Sequence, residues 1–244
     1  MIFLHGFPFS HAMWTAQLNI ISPFCHAIAY DIKGHGMSDV GDGQYSIESH
    51  VDDLIGLLDL LKIERTVIVG LSMGGYITLR ALQRNPERFR AAVLCDTRSE
   101  SDTNEGRLRR FDGVKMVKLE GSKVFADNFV KAVFAPRSFE QNPTAIKLIH
   151  DIIEKTSPLS IAGTLLALAS RTDTTESLRK IEVPTMILVG EKDALTPPDA
   201  SRTMHEQIRG SEFHVISNAA HMSNLENPEE FNERLIGFLK KLQN

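Results

Sequence analysis

One segment restricts the possible folds of this chain more than any other. It is Thr66-Val-Ile-Val-Gly-Leu-Ser-Met-Gly-Gly-Tyr-Ile, in which a β-branched run typical of a buried strand leads straight into a helical pattern. The strand must therefore turn sharply into the helix at Gly70-Leu-Ser-Met-Gly74. Small residues two positions before and after Ser72 suit such a turn, because larger side chains would clash with the neighbouring strand and helix.

The rest of the chain repeats this order of short apolar runs followed by longer helical patterns. This alternation indicates an α/β fold with a mostly parallel, doubly wound sheet. The predicted strands are Met1–Leu4, Ala27–Asp31, Thr66–Val69, Ala91–Cys95, Thr185–Val189 and Glu212–Ile216. The predicted helices of the core are Ile47–Leu61, Gly75–Gln83 and Pro228–Leu242, each with apolar residues at helical spacing.

The pattern changes from about Thr97 to Arg179, where only helical spacing is found. We therefore predict a helical cap of residues 99–179 inserted into a core made of residues 1–98 and 180–244. Such a cap would lie over the carboxyl ends of the strands, where open parallel sheets bind ligands. Its aromatic residues, with Trp14, are expected to form a mostly apolar pocket, although ordinary packing is an alternative for each of them. The pocket residues so predicted are Trp14, Phe125, Phe129 and Phe134.

The sharp turn presents the Ser72 hydroxyl at a helix N-terminus, where unpaired N–H groups stabilise developing negative charge. A serine needs a base, and His221 follows the last predicted strand. Asp193 follows the strand before it and could hold the imidazole tautomer, with Asp96 as the rival acid. The backbone N–H groups of Phe7 and Met73 are the candidates for an oxyanion hole.

Composition excludes several other classes of protein. Lysine and arginine number 27 against 31 acidic residues, and this balance argues against nucleic-acid binding. The two cysteines do not form a disulfide framework or a metal knuckle. Without a signal-peptide pattern or a long apolar run, the chain is expected to be cytoplasmic and not bound to a membrane. The chemistry expected of Ser72, His221 and Asp193 needs no metal and no organic cofactor.

These motifs together resemble the α/β-hydrolase superfamily over nearly the whole chain, and within it the carboxylesterase or 3-oxoadipate enol-lactonase-like group. The matching segments are His5-Gly-Phe-Pro, Asp31-Ile-Lys-Gly-His-Gly-Met-Ser38, Gly70-Leu-Ser-Met-Gly-Gly75, Gly190-Glu-Lys-Asp193 with Thr196-Pro197, and Ala220-His221. The resemblance implies a serine esterase or lactonase (EC 3.1.1) with a Ser72-His221-Asp193 triad. It also implies that the cap follows the sixth strand of the family's sheet.

One departure from the family pattern concerns the N-terminus. Members carry antiparallel strands ahead of the His-Gly loop, whereas here that loop begins at His5. If the chain begins at Met1, the strand Ala27–Asp31 lies at the edge of the sheet, and this edge is expected to be paired in a homodimer or covered.

The predicted activity is hydrolysis of a small carboxylic ester or lactone through an acyl-enzyme. The alternatives left open are a carbon–carbon bond hydrolase or perhydrolase with the same triad, and a small-molecule receptor with slow turnover.

Overall fold

The computed structural model describes residues 1–243 and contains one six-stranded sheet. The strands are β1 (Ile2–Leu4), β2 (Ile28–Tyr30), β3 (Thr66–Leu71), β4 (Phe89–Cys95), β5 (Thr185–Gly190) and β6 (Glu212–Ile216). Their order across the sheet is β2-β1-β3-β4-β5-β6, and every pair of neighbours runs parallel. The predicted α/β class with a parallel sheet is confirmed.

Ten α-helices connect or follow these strands in the described part of the chain. They are α1 (Thr15–Ile21), α2 (Ile47–Leu60), α3 (Met73–Arg84), α4 (Asn104–Val133), α5 (Ser138–Gln141), α6 (Pro143–Lys155), α7 (Pro158–Ala169), α8 (Pro198–Gln207), α9 (Ser223–Glu226) and α10 (Pro228–Lys241). Three 3-10 helices, His11–Trp14, Pro86–Arg88 and Thr175–Lys180, complete the regular structure of residues 1–243.

The central strands are the best predicted part of the fold. All six residues of β3 are buried, as are all six of β5, which explains why their sequences are continuous apolar runs. The helix after β3 begins at Met73, two residues earlier than predicted, because the turn at Ser72 is completed within that single residue. The 10-residue helix α8 was not predicted, since its mostly polar sequence buries only Ala200, Ser201 and Met204.

Helices α4 to α7 lie between β4 and β5 in the chain, and no strand forms within residues 97–184. Thr103 caps the first of them by accepting the Gly106 N–H at 3.2 Å, so the segment 100–110 is half loop and half helix. The same helix breaks at Gly121, whose φ of 83° and ψ of 174° are not helical. The division into a core and a cap domain stays a prediction.

Strand β2 forms one edge of the sheet, and its three residues are only partly buried. A homodimer that pairs this edge therefore stays a proposal. Within residues 1–243, no single helix is long and apolar enough to cross a membrane. The bent pair α6 and α7, which meet at 99°, passes that test only by combined length and composition.

Three histidines are buried, two in the loops that follow β1 and β2 and one in the first turn of α2. His5 braces these loops: its Nδ1 lies 2.8 Å from the Gly6 carbonyl oxygen, and its Nε2 accepts the Ile32 N–H at 3.0 Å. His35 packs edge-on against His5, and His50 stacks on Tyr45. Burial lowers the pKa of His5 and His50 to about 3 and that of His35 to about 4. These side chains are therefore neutral in the folded protein at neutral pH.

A histidine with a lowered folded-state pKa makes stability depend on pH. Below the ordinary value of 6.5, the unfolded chain takes up protons that the folded chain refuses, so stability falls with pH towards about 4. Each such histidine steepens this loss by up to about 1.4 kcal/mol per pH unit. We expect His50→Leu to protect the protein against acid, because both ring nitrogens of His50 are buried without a partner.

Urea denaturation at about pH 5 and about pH 8 measures this effect. His50→Leu should raise the free energy of unfolding more at the lower pH, whereas His26→Gln, at an exposed position, should change neither value. Equal changes at both pH values would contradict the assignment of His50 as a neutral buried group.

Candidate active site

Ser72 occupies the sharp turn between β3 and α3. Its φ of 54° and ψ of −112° lie outside the regions that L-residues favour. The strained residue is held on both sides: its N–H donates to the Cys95 carbonyl at 3.0 Å, and its own carbonyl accepts the Thr97 hydroxyl at 2.9 Å. The chain therefore maintains the turn through bonds to the end of β4.

Glycines around Ser72 allow this turn for steric reasons. A Cβ atom on Gly70 would collide with the Gly74 carbonyl, and one on Gly74 would collide with the carbonyl of Leu4. Since both obstacles are backbone atoms, they cannot rotate away. The close approach of β1, β3 and α3 at this point therefore depends on the two glycines.

Asp193 lies in the loop after β5 and is buried. Its Oδ1 accepts the N–H groups of Leu195 and Thr196, at 2.9 and 3.0 Å. Its Oδ2 accepts the Thr196 hydroxyl at 2.6 Å and lies 2.8 Å from Nδ1 of His221. Burial by itself would raise the pKa of the Asp193 carboxyl. The charge of His221, with the bonds from His221 and Thr196, outweighs burial and lowers this pKa.

His221 lies in the loop between β6 and α9, with only 3% of its surface exposed. Burial favours the neutral ring, but the Asp193 carboxylate and its hydrogen bond prevail and raise the pKa of His221 above 6.5. Ser72 and His221 line the same cavity, although no hydrogen bond joins their side chains among the described residues. Such contacts are often long before substrate binds.

Asp96, the rival acid, directly follows β4 but is hydrogen-bonded to other residues. Its Oδ1 accepts the Gly190 N–H at 2.8 Å, and its Oδ2 is hydrogen-bonded to the Ser223 hydroxyl. Burial, and next the nearby charge of Asp193, raise the pKa of Asp96 well above its ordinary value. Of the two carboxyl groups, only Asp193 hydrogen-bonds to His221 in this structure.

The two backbone groups predicted for the oxyanion hole are free within residues 1–243. Met73 is the first residue of α3, so its N–H has no acceptor inside the helix. The Phe7 N–H likewise has no hydrogen-bond acceptor among residues 1–243. Phe7 itself lines the cavity beside Ser72.

The cavity has a volume of about 500 Å³, within the usual range for small-molecule sites. Phe125 and Phe129, both in α4, form an aromatic wall together with Phe7. The cavity is lined by Phe7, Ser72, Tyr76, Arg98, Asp102, Thr103, Gly106, Arg109, Arg110, Gly113, Phe125, Phe129, Leu165, Leu168, Ala194, Leu195, Thr196 and His221.

Two of the predicted pocket residues need correction. The Trp14 ring is fully buried against Phe3 and Phe231, with ring centroids 5.1 and 6.2 Å away, so it belongs to the hydrophobic core. Phe134 is buried where α4 ends and is not part of the cavity wall. Apolar spacing predicts that a residue is buried, but not whether it packs in a core or beside a cavity.

Comparison with known proteins was consistent with this geometry. Residues 1–234 match the model of the alpha/beta hydrolase family. The 3-oxoadipate enol-lactonase 1 of Acinetobacter baylyi is 28% identical over all of this chain and 89% of its own length. The chain belongs to the alpha/beta hydrolase family.

Solved structures of other alpha/beta hydrolases superimpose on this one over nearly their full lengths. A thermophilic esterase from Thermogutta terrifontis, solved with malate bound, is 32% identical with a TM-score of 0.96, covering 100% of this chain and 90% of that one. The enol-lactonase from Burkholderia xenovorans LB400 is 27% identical with a TM-score of 0.92, covering 98% and 90%.

Some residues of this alpha/beta hydrolase site were missed from the sequence. Thr196, whose hydroxyl bonds Asp193 and lies 3.3 Å from Nδ1 of His221, was noticed only as part of a motif. Three arginines of the cavity wall, Arg98, Arg109 and Arg110, were not predicted to line it. A signal for two of them existed, since Asp102, Gly106, Arg109, Arg110 and Gly113 recur at helical spacing on one face.

The raised pKa of His221 predicts the pH dependence of any reaction that uses this ring as a base. The neutral ring is required, so kcat/KM should rise with pH and reach its plateau only above the ordinary histidine value of 6.5. Thr196→Val removes one hydrogen bond to Asp193 and should shift the midpoint of this rising limb of the pH profile by less than about one pH unit. A limb centred below 6.5 would contradict the ion pair as the cause.

Proposed function

We propose that this alpha/beta hydrolase is a serine hydrolase that cleaves small carboxylic esters or lactones through an acyl-enzyme. The observation that carries the proposal is the buried 2.8 Å contact between Asp193 and His221, at the cavity that Ser72 lines. A base oriented by a carboxylate, beside a serine on a strained turn, is the arrangement that serine acyl transfer requires.

In the proposed mechanism, Asp193 accepts the Nδ1–H of His221, which leaves Nε2 free to take the proton of Ser72. The serine oxygen attacks the substrate carbonyl, and the N–H groups of Phe7 and Met73 stabilise the resulting oxyanion. His221 then returns the proton to the leaving alcohol. Water attacks the acyl-enzyme with His221 again as base, and the carboxylic acid is released. A lactone follows the same steps, with its own hydroxyl as the leaving group.

The choice of esters and lactones rests on the relatives. Those named as enol-lactonases or esterases match 98% or more of this chain. Sequence identities of 27 to 32% carry the reaction class to this chain as a proposal and leave the acyl group open.

A panel of p-nitrophenyl esters from acetate to decanoate, with simple lactones followed by pH-stat, tests the proposal. We expect turnover of short esters or lactones, and labelling of Ser72 by a fluorophosphonate, located by peptide mass spectrometry. A folded protein that turns over none of these substrates and is not labelled at Ser72 would refute it.

A further inference from the structure

The cavity lined by Ser72 and His221 has a cationic part in addition to its aromatic wall. Arg98 lies in the segment after β4, and Arg109 and Arg110 lie in the second turn of α4. All three line the cavity, whereas Asp102 is the only acidic side chain that does so among the described residues. The charged part of the wall is therefore net positive.

The one carboxylate is already neutralised from two sides. Asp102 forms ion pairs with Arg110, at 3.0 Å, and with Arg171, at 2.7 Å. Arg171 is itself buried, bonds the carbonyl of Glu100 at 2.8 Å and lies over the Tyr76 ring at 4.3 Å from its centre. Arg110 and Arg171 therefore hold Asp102 in place and neutralise its charge, so Asp102 does not neutralise Arg98 or Arg109.

The two remaining guanidinium groups are weakly paired. Arg109 makes no hydrogen bond or ion pair with another residue of the described chain, although the exposed Glu105 one turn earlier interacts with its charge. Arg98 reaches Glu100 only at 3.5 Å, and its buried Nε has no hydrogen-bond partner. A buried charged donor without an acceptor is costly, so a ligand that supplies one is favoured.

Most of the other lining residues are apolar, with Phe125, Phe129 and Leu165 among them. A cavity with these two parts suits a small acyl chain or ring that ends in an anion. Guanidinium groups match the planar, two-oxygen geometry of a carboxylate.

We propose that the substrate carries a free carboxylate in addition to the ester or lactone bond, and that Arg98 and Arg109 bind it, with Arg110 adding charge. This inference rests on the proposed function of the same site, and it goes further by naming the substrate class. The arginines act in binding and selectivity, not in the chemical step.

A charge series of activated esters tests it. The substrates are the mono-p-nitrophenyl esters of succinate, glutarate and adipate, compared with neutral p-nitrophenyl esters of the same length. We expect kcat/KM to be at least about tenfold higher for the best carboxylated ester than for its neutral counterpart. This ratio should fall as salt is added, because screening weakens an exposed charge pair.

The variants are Arg98→Gln and Arg109→Gln, with Arg107→Gln as the matched control, since Arg107 is exposed on the same helix as Arg109 but does not line the cavity. Arg109→Gln is the cleanest of these, since it breaks no ion pair of the described chain. Each of the first two should reduce the ratio of carboxylated to neutral kcat/KM by about tenfold, mostly through KM. Arg107→Gln should leave both rates unchanged.

An equilibrium measurement separates this inference from the proposed function. Glutarate and neutral glutaramide are titrated calorimetrically into Ser72→Ala protein, in which no hydrolysis is needed. Glutarate should bind at least about tenfold more tightly, and Arg109→Gln should remove this preference.

Equal binding and equal kcat/KM for charged and neutral compounds would overturn the inference and leave the serine hydrolase proposal intact. Selective glutarate binding without any ester or lactone hydrolysis would refute the proposed function alone.

Discussion

Replacement of Ser72 by alanine is expected to lower kcat for the best ester or lactone by at least about 10⁴-fold, because no acyl-enzyme can form. The fold should persist, since the turn is held by backbone bonds from Ser72 to Cys95 and by the Thr97 hydroxyl. Stopped-flow kinetics with a p-nitrophenyl ester is the measurement. The wild-type protein should show a burst of p-nitrophenol if deacylation is slow, and the variant none.

Ser217→Ala is the matched control, because Ser217 is exposed on the loop that leads to His221 and its hydroxyl makes no hydrogen bond within residues 1–243. This control should keep the wild-type rate. Retention of more than about a hundredth of the wild-type kcat by a folded Ser72→Ala protein would rule out Ser72 as the nucleophile.

Replacement of Asp193 by asparagine should have the second largest effect, a loss of about 10⁴-fold in kcat at neutral pH. The reason lies in the four bonds that the carboxylate accepts. The N–H groups of Leu195 and Thr196 both point at Oδ1, so the single amide oxygen of asparagine will be oriented towards them. Its NH₂ group then faces His221 and imposes the tautomer whose Nε2 carries hydrogen and cannot take the serine proton.

Asp96→Asn provides the comparison between the two candidate acids. The pKa of Asp96 is raised well above its ordinary value, which favours the neutral carboxyl, and an amide is a close substitute for that form. Its oxygen can still accept the Gly190 N–H, and its NH₂ can bond the Ser223 hydroxyl. This variant should lose no more than about tenfold in kcat/KM. The reverse ranking of the two variants would make Asp96 the acid of the triad.

Parts of the site differ in how far the sequence predicted them. The turn at Ser72 was predicted because its causes are local: β-branched residues before it, glycines at Gly70 and Gly74, and a helical pattern after it. The positions of Asp193 and His221 after successive strands were also predicted from the sequence, since a parallel sheet brings the carboxyl ends of its strands to one edge. Helix α8 was not, because its stability comes from packing of a few residues on β5 and β6.

The sequence by itself therefore determined the sheet, the order of its strands along the chain and the strained turn, all of which follow from short-range sterics and hydrophobic periodicity. Only the tertiary structure decided which carboxylate meets His221, because Asp96 and Asp193 both follow neighbouring strands and differ in where their loops direct them. It also separated Trp14, which is buried in the core, from Phe129, which lines the cavity. Large apolar side chains at helical spacing look alike in the sequence, and the difference depends on which surfaces face one another once the helices have packed.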